Sequence, residues 1–309
     1  MSNLIFSAFA YKEEYNPTPN INEKEIKSAV NIYIKNIFVA LKSAKIQNPN
    51  DDVALVTNKE IPENFRKLFA RNNIYIYHCD FNEFTMPKDF TWSLAFYKLC
   101  ALKYIVSEGE YNNYLLLDGD TVTIRSYNDL WQEAFHGLVL FNINHNFSHR
   151  VRKDIVEVYE ELYGYSMNIQ QYGGELICGN KDILQNFVEK CEEVYSKVKI
   201  RNFNINKDSE DELITSIAAT KMSNIFDGGA YIDRYWTGRF YLVSTNYVND
   251  PVAIWHLPGE KKQGLLTLYN YLIKNDTLPK NVHKIFGLPK SRRPDFILYN
   301  LKRIARKLF

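Results

Sequence analysis

A mostly parallel α/β sheet flanked by helices is the fold class this sequence predicts. Three observations lead there. Short apolar runs alternate with stretches of helical periodicity through the first half of the chain. The run Tyr114–Leu117 is apolar at every position instead of alternating, as a strand buried on both faces requires. The 309 residues, 46% hydrophobic and 24% charged, suffice for a large core in one or two domains.

The elements follow in order. Leu4–Ala8 reads as the first strand. A helix over about Glu23–Lys42 carries Ile26, Val30, Ile34, Ile37, Phe38 and Leu41 on one face. Val53–Thr57 and Ile74–Tyr77 are the next strands, with a short helix between them. Trp92–Val106 is a helix leading into the Tyr114–Leu117 strand. Gly137–Asn142 and Leu176–Gly179 read as later strands, and Asn180–Val198 as a helix. One domain over 1–285 is expected, in two halves of about 1–125 and about 126–285. A distinct tail follows over 286–309.

Bulk properties narrow the function. A net charge of +2 provides no global field for nucleic acid. No C-x-x-C pair exists among Cys79, Cys100, Cys178 and Cys191, and three of these lie in apolar stretches, as suits core residues in a reducing cytoplasm. The N-terminus does not read as a signal peptide, and no apolar run is long enough to span a bilayer. The tail is different. It holds seven Lys or Arg and one Asp, and Pro294 can open a helix. Ile297, Leu298, Leu301, Ile304, Ala305 and Leu308 fall on one face of that helix, flanked by Lys302, Arg303, Arg306 and Lys307. Such a helix suits peripheral contact with an anionic membrane surface, docking on its own domain, or a subunit contact.

Chemistry concentrates at Asp118-Gly119-Asp120, directly after the buried strand. Open α/β sheets place ligands at the carboxyl ends of their strands. Two carboxylates spaced by one glycine can converge there on a hard cation. A second motif stands at Trp255-His256-Leu257-Pro258-Gly259-Glu260-Lys261-Lys262. His256 can complete a divalent site begun by the acids, Gly259 lets backbone approach a phosphate, and Lys262 supplies positive charge for it.

Together these motifs resemble the GT-A-fold glycosyltransferases, which use nucleotide-sugar donors. Asp118-Gly119-Asp120 looks like their D-x-D motif. His256, Gly259 and Lys262 match the H-x-x-G-x-x-K ending of the glycogenin and bacterial lipooligosaccharide galactosyltransferase group. Between them, Gly173-Gly174-Glu175 resembles the glycine-containing loop near the donor sugar and acceptor. Glu210-Asp211-Glu212-Leu213 resembles the acidic motif that opens a helix beside the reacting centre. The order of motifs is the family order, over roughly residues 4 to 262. Lys262 is followed by Gln263-Gly264 instead of Pro-Trp, and Leu213 by Ile214 instead of Asn, so the resemblance extends to fold and metal site and not to that particular group.

The resemblance implies a Rossmann-like GT-A domain, its nucleotide-binding half over about 1–125 and its acceptor half over about 126–285, with the basic amphipathic helix at its C-terminus. Asp118, Asp120 and His256 would hold Mn²⁺, or Mg²⁺, against the diphosphate of a UDP-sugar. Gly259 and Lys262 would meet that diphosphate, with Lys98 a further phosphate candidate. Ala8, Phe9 and Tyr11 would face the base and ribose, with Thr57 and Asn58 weaker candidates at the same sheet edge. Asp211 and Glu212 would serve as general base or as sugar ligands, in an inverting or a retaining reaction. The competing account of these acids is a helix capped by Ser209 with an acidic first turn. His145 and His149, four apart, read as a weak metal pair, and Tyr231, Tyr235, Trp236 and Phe240 read as core packing before a sugar platform.

The expected activity is transfer of a sugar to a glycan or glycolipid acceptor in bacterial surface polysaccharide synthesis, at the cytoplasmic face of the membrane. The alternative is a haloacid-dehalogenase-like Mg²⁺ phosphatase. There Asp118 is the nucleophile, Asp120 the acid/base, and Asp227 with Asp233 the later acidic motif.

Overall fold

The computed structural model describes residues 2–12, 26–237 and 252–288, together with Leu301 and Ala305. Apart from Leu301 and Ala305, the amphipathic tail helix expected after Pro294 lies outside the described residues, as does Phe240. The elements in chain order are β1 (Asn3–Phe9), α1 (Ile26–Gln47), β2 (Asp52–Thr57), α2 (Glu63–Arg71), β3 (Ile74–His78), α3 (Tyr97–Glu108) and β4 (Asn113–Leu117). There follow β5 (Thr121–Thr123), α4 (Asn128–His136), β6 (Leu138–Asn142), α5 (Arg150–Tyr163), β7 (Tyr172–Asn180) and α6 (Lys181–Ile200). The last are α7 (Glu212–Ala219), β8 (Ile225–Asp227), β9 (Ile232–Arg234), β10 (Ile254–His256), α8 (Gly264–Leu272) and α9 (Val282–Ile285).

The large sheet has the order β3-β2-β1-β4-β7-β6-β8. All its strands run in one direction except β7, which is antiparallel to both neighbours. The mostly parallel α/β class is thus what the chain adopts. Side chains of β4 alternate across the sheet: Tyr114 and Leu116 enter one core, Leu115 and Leu117 the other. Each such leucine, fully buried, contributes about 1.5–3 kcal/mol. Helices α3, α5, α6 and α7 cover the first face, and α1, α2, α4 and α8 the second.

Several expectations are refined. The helix expected to end near Lys42 continues to Gln47, and Trp92–Phe96 precedes α3 as turns. Asn180 is the N-cap of α6, its side-chain oxygen accepting from Ile183 N at 2.9 Å. Gly173-Gly174-Glu175 lies within β7 and not in a loop, with the β6–β7 register shifting between Leu140 and Phe141. Nor does Ser209 cap the acidic helix: α7 begins at Glu212, with Asp211 at its N-cap making no side-chain capping bond.

A small second sheet, β5-β10-β9, is decisive for the site. Only three residues separate β4 from β5, so Asp118-Gly119-Asp120 spans the junction between the two sheets. Antiparallel pairing of β10 with β5 sets His256 opposite Thr121, next to Asp120. Parallel pairing of β10 with β9 sets Arg234 opposite His256. In the large sheet, Leu176 of β7 faces Leu117, which brings Glu175 alongside Asp118. Strand register alone therefore assembles most of the polar centre. Among the described residues, no helix is long and apolar enough to cross a membrane.

Candidate active site

A cavity of about 1080 Å³ opens at the carboxyl ends of β1 and β4. Its volume lies at the upper end of the range for small-molecule sites. One wall is the segment after β1, Ala8–Lys12, facing Tyr33, Asn36 and Ile37 of α1. The floor is Asp118–Asp120, and His256, Pro258, Gly259 and Lys261 close one side. Lys98, Gly174, Glu175, Glu210–Glu212, Arg234 and Trp236 complete it.

Asp118, Asp120 and His256 each present a ligand atom, and these atoms lie within 4.8 Å of one another. His256 Nε2 is 3.2 Å from Asp120 Oδ1 and 3.8 Å from Asp118 Oδ2. Its Nδ1 is 3.1 Å from Glu175 Oε1, so a buried carboxylate orients the ring with Nε2 toward the two aspartates. Two carboxylates and one imidazole on converging vectors fit a divalent cation such as Mn²⁺ or Mg²⁺. Burial would depress the imidazole's basicity, but Asp120 and Glu175 outweigh it and raise its pKa to about 9. Burial would likewise raise Asp120, yet Lys261 and His256 hold it well below the usual carboxylate range.

Two lysines reach these acids. Lys98 is part-buried, its side chain 16% exposed, and its ammonium is engaged: Nζ lies 2.9 Å from Asp118 Oδ1, 3.2 Å from Gly174 O and 3.2 Å from Asp211 Oδ2. Burial opposes its charge, but Asp118 and Asp211 keep the ammonium well above the ordinary lysine range. Lys261, just after the 3₁₀ turn Pro258–Glu260, donates to Asp120 Oδ2. Of the adjacent pair, Lys261 lines the cavity whereas Lys262 is exposed and outside the lining.

The acidic run divides by environment. Asp211 faces Lys98, and burial pushes its carboxyl up to about 6 against that lysine's pull. Glu210 is driven to about 8 by burial, with Glu212 and Asp211 adding to the effect. Glu212 accepts from Arg234 Nη2 at 3.0 Å and from Gln171 Nε2 at 2.6 Å. The same guanidinium clamps Glu175 with Nε at 2.7 Å and Nη2 at 2.8 Å. Glu175 is 1% exposed. Burial would raise its carboxyl, but Arg234 and His256 prevail and hold it far below the usual range.

Two glycines permit this crowding. At Gly119 a Cβ would stand 2.6 Å from Ile37 Cγ1, so glycine lets the Asp118–Asp120 loop pack directly on α1. At Gly174 a Cβ would stand 2.6 Å from Lys98 Nζ and collide with Asp211 as well.

The other expected residues are placed as follows. Ala8, Phe9 and Tyr11 line the cavity. Asn58 holds the Tyr11 backbone at both ends, accepting from its N–H at 2.8 Å and donating to its carbonyl at 2.7 Å. Thr57 lies behind this wall, its hydroxyl donating to Phe9 O at 2.7 Å. Gly174, Glu175 and Gly259 line the cavity, whereas Gly173 does not. Tyr235 is buried against Trp255, while Trp236 is 51% exposed on the cavity rim. His145 and His149 stack at 3.4 Å between ring centroids and have no acid beside them as a third ligand among the described residues. Asp227 is exposed on β8, and neither it nor Asp233 lines the cavity, so the phosphatase constellation does not form around Asp118.

Arg234, Lys261 and Asn36 escaped the sequence reading. Arg234 is a lone cation in the aromatic run Tyr231–Trp236, which is its faint signal. Asn36 is buried on α1, and neither of its amide atoms has a hydrogen-bond partner among the described residues.

No protein-family model matches the sequence, and no curated protein matches it. Solved structures do. The galactosyltransferase LgtC in complex with donor and acceptor sugar analogues aligns with a TM-score of 0.54 at 14% identity, over 92% of this chain and 99% of that one. An active-site mutant of LgtC aligns with a TM-score of 0.57 at the same 14% identity and the same coverage. This chain therefore has the GT-A fold of that galactosyltransferase over nearly its whole length.

Proposed function

We propose that this protein is a metal-dependent glycosyltransferase that moves a sugar from a nucleoside-diphosphate donor, a UDP-sugar, to a glycan or glycolipid acceptor. The observation that carries the proposal is the convergence of Asp118, Asp120 and His256 at the cavity floor, in a GT-A fold. LgtC, whose complex holds donor and acceptor sugar analogues, shares that fold. Asp118, Asp120 and His256 would hold a divalent ion, which supplies Lewis-acid stabilisation to a departing diphosphate.

The chain's own residues do the remaining work. Lys261 and Lys98, which line the cavity, place positive charge where the leaving group gains negative charge. Gly259 lets the turn approach the phosphates. Tyr11 and Phe9 offer ring faces to a base, and the unpartnered Asn36 amide offers a donor and an acceptor at that end of the cavity. Asp211 and Glu212 stand at the opposite end, within reach of the sugar. Glu212 already accepts two strong hydrogen bonds and acts as an oriented anion, so Asp211 is the better proton acceptor of the pair. Trp236 on the rim suits the apolar face of an acceptor sugar. The basic tail motivates a membrane-linked acceptor at the cytoplasmic face, in bacterial surface polysaccharide synthesis.

Calorimetric titration of UDP, GDP and inorganic phosphate, each with and without Mn²⁺, tests the proposal. Mn²⁺-dependent binding of UDP is the expected result. Absence of any metal-dependent nucleotide binding refutes it, and selective GDP binding would replace the donor class.

A further inference from the structure

A chain of polar contacts leaves the cavity and runs back through the protein. It starts at the His256 ring, passes to Glu175, and crosses the Arg234 guanidinium to Glu212. From Glu212 Oε2 it continues to Gln171 Nε2 at 2.6 Å, and from Gln171 Oε1 to His145 Nδ1 at 2.8 Å. Gln171 is 2% exposed and is not part of the cavity lining, so no substrate touches it.

The direction of these bonds follows from chemistry. A carboxylate paired with a guanidinium only accepts, so the Gln171 amide turns its NH₂ toward Glu212. The amide oxygen then faces His145, and an oxygen only accepts. His145 must therefore carry its hydrogen on Nδ1. Its loop is fixed from below by the buried Arg152. That guanidinium donates to the His145 carbonyl, to Ile169 O at 2.9 Å and to Asn168 Oδ1 at 3.0 Å. Arg152 thereby ties the loop between β6 and α5 to the segment entering β7.

We infer that Gln171 and His145 are positioning residues for Glu212. Arg234 holds one oxygen of that carboxylate and Gln171 the other, which fixes its plane and leaves its remaining lone pairs aimed at the cavity. Without Gln171 the carboxylate is free to pivot about Arg234, whose fork is shared with Glu175. His145 locks the amide so that it cannot present its oxygen to Glu212. In its catalytic half this inference rests on the transferase reading; in its structural half it does not.

Two measurements test it. Nitrogen-15 NMR of the histidines at alkaline pH reports the tautomer of His145. The Nδ1–H form is expected in the wild type and is lost in Gln171→Met. An Nε2–H form in the wild type, or one indifferent to Gln171→Met, overturns the inference whatever the turnover. The second measurement is Mn²⁺-dependent release of UDP from UDP-glucose and UDP-galactose. Gln171→Met is expected to lower kcat by about 10- to 100-fold, with donor KM and Mn²⁺ affinity unchanged. His145→Asn, whose amide nitrogen replaces the Nδ1 donor, should retain most of the rate, and His145→Phe should not. A kcat within about two-fold of wild type in Gln171→Met, or equal rates in the two His145 variants, refutes the positioning role. If Gln171→Met does not fold, the His145 pair carries the test. If wild type releases UDP from neither sugar and binds no nucleotide with Mn²⁺, the transferase reading falls and the catalytic half falls with it, while the tautomer still decides the hydrogen-bond chain.

Discussion

Replacing Arg234 with methionine isolates the electrostatic core of the site. The guanidinium makes two hydrogen bonds to Glu175 and one to Glu212. Their side chains are 1% and 7% exposed. Methionine fills similar space but leaves two buried carboxylates facing each other with His256 and Gln171 as their remaining hydrogen-bond partners among the described residues. Removing one member of a buried ion pair costs about 3–5 kcal/mol, because the charge left behind is uncompensated. In the wild type the Glu175 pKa lies below its ordinary value of 4.5, so its contribution is present above pH 4.5 and lost only as pH falls toward the depressed value. In Arg234→Met, burial dominates and raises that pKa, so the variant loses stability as pH rises through the raised value. The gap between the two proteins should therefore be about 3–5 kcal/mol at pH 7 and narrow toward pH 4.5. Urea denaturation at both pH values measures it. A loss below about 1 kcal/mol at pH 7 would mean that the pair behaves as a surface ion pair and the reasoning is wrong.

Three further outcomes are expected. Asp120→Asn should weaken Mn²⁺ binding by at least about 100-fold in calorimetry, since it removes a metal-ligand charge from a three-ligand site; unchanged affinity would move the metal elsewhere. Glu210→Gln should flatten the pH dependence of stability between about pH 4.5 and pH 8, because a carboxyl raised to about 8 in the fold makes the wild type lose stability as pH rises through that window. Identical stability–pH curves for the two proteins would show that Glu210 titrates normally. Gly174→Ala places a methyl group where Lys98 Nζ and Asp211 stand, and a displacement of about 1 Å there should cost about 100-fold in turnover; a fully active variant would show that their alignment does not matter.

The parts of the site legible in the sequence are those where chemistry is contiguous. Asp118-Gly119-Asp120 announces itself because a fully apolar strand runs straight into two acids. His256 and Gly259 are visible for a similar reason, an apolar approach ending in polar residues at a fixed spacing. The parallel half of the large sheet follows from its strand–helix alternation. What tertiary pairing decides is harder to see. Strands β5, β9 and β10 are three residues each, too short to display a period, yet their register delivers His256 and Arg234 to the acids. The antiparallel insertion of β7 turns an expected glycine loop into a strand. Whether Lys261 or Lys262 faces the cavity depends on the phase of one 3₁₀ turn. Gln171 and His145 carry no motif at all, because their role exists only through the side chains they touch.

The junction between the two sheets also sets the order in which the protein can mature. Asp120 meets a lysine 141 positions later, and Glu175 meets a histidine 81 positions later. Contacts that close such long loops form late, after local helices and neighbouring strands. A nascent chain that has emerged only as far as β5 carries its two aspartates after β4 with no imidazole to join them. The centre is complete only when β10 docks against β5. Assembly of the polar centre is in this way tied to completion of the fold, and a chain trapped halfway has no assembled site.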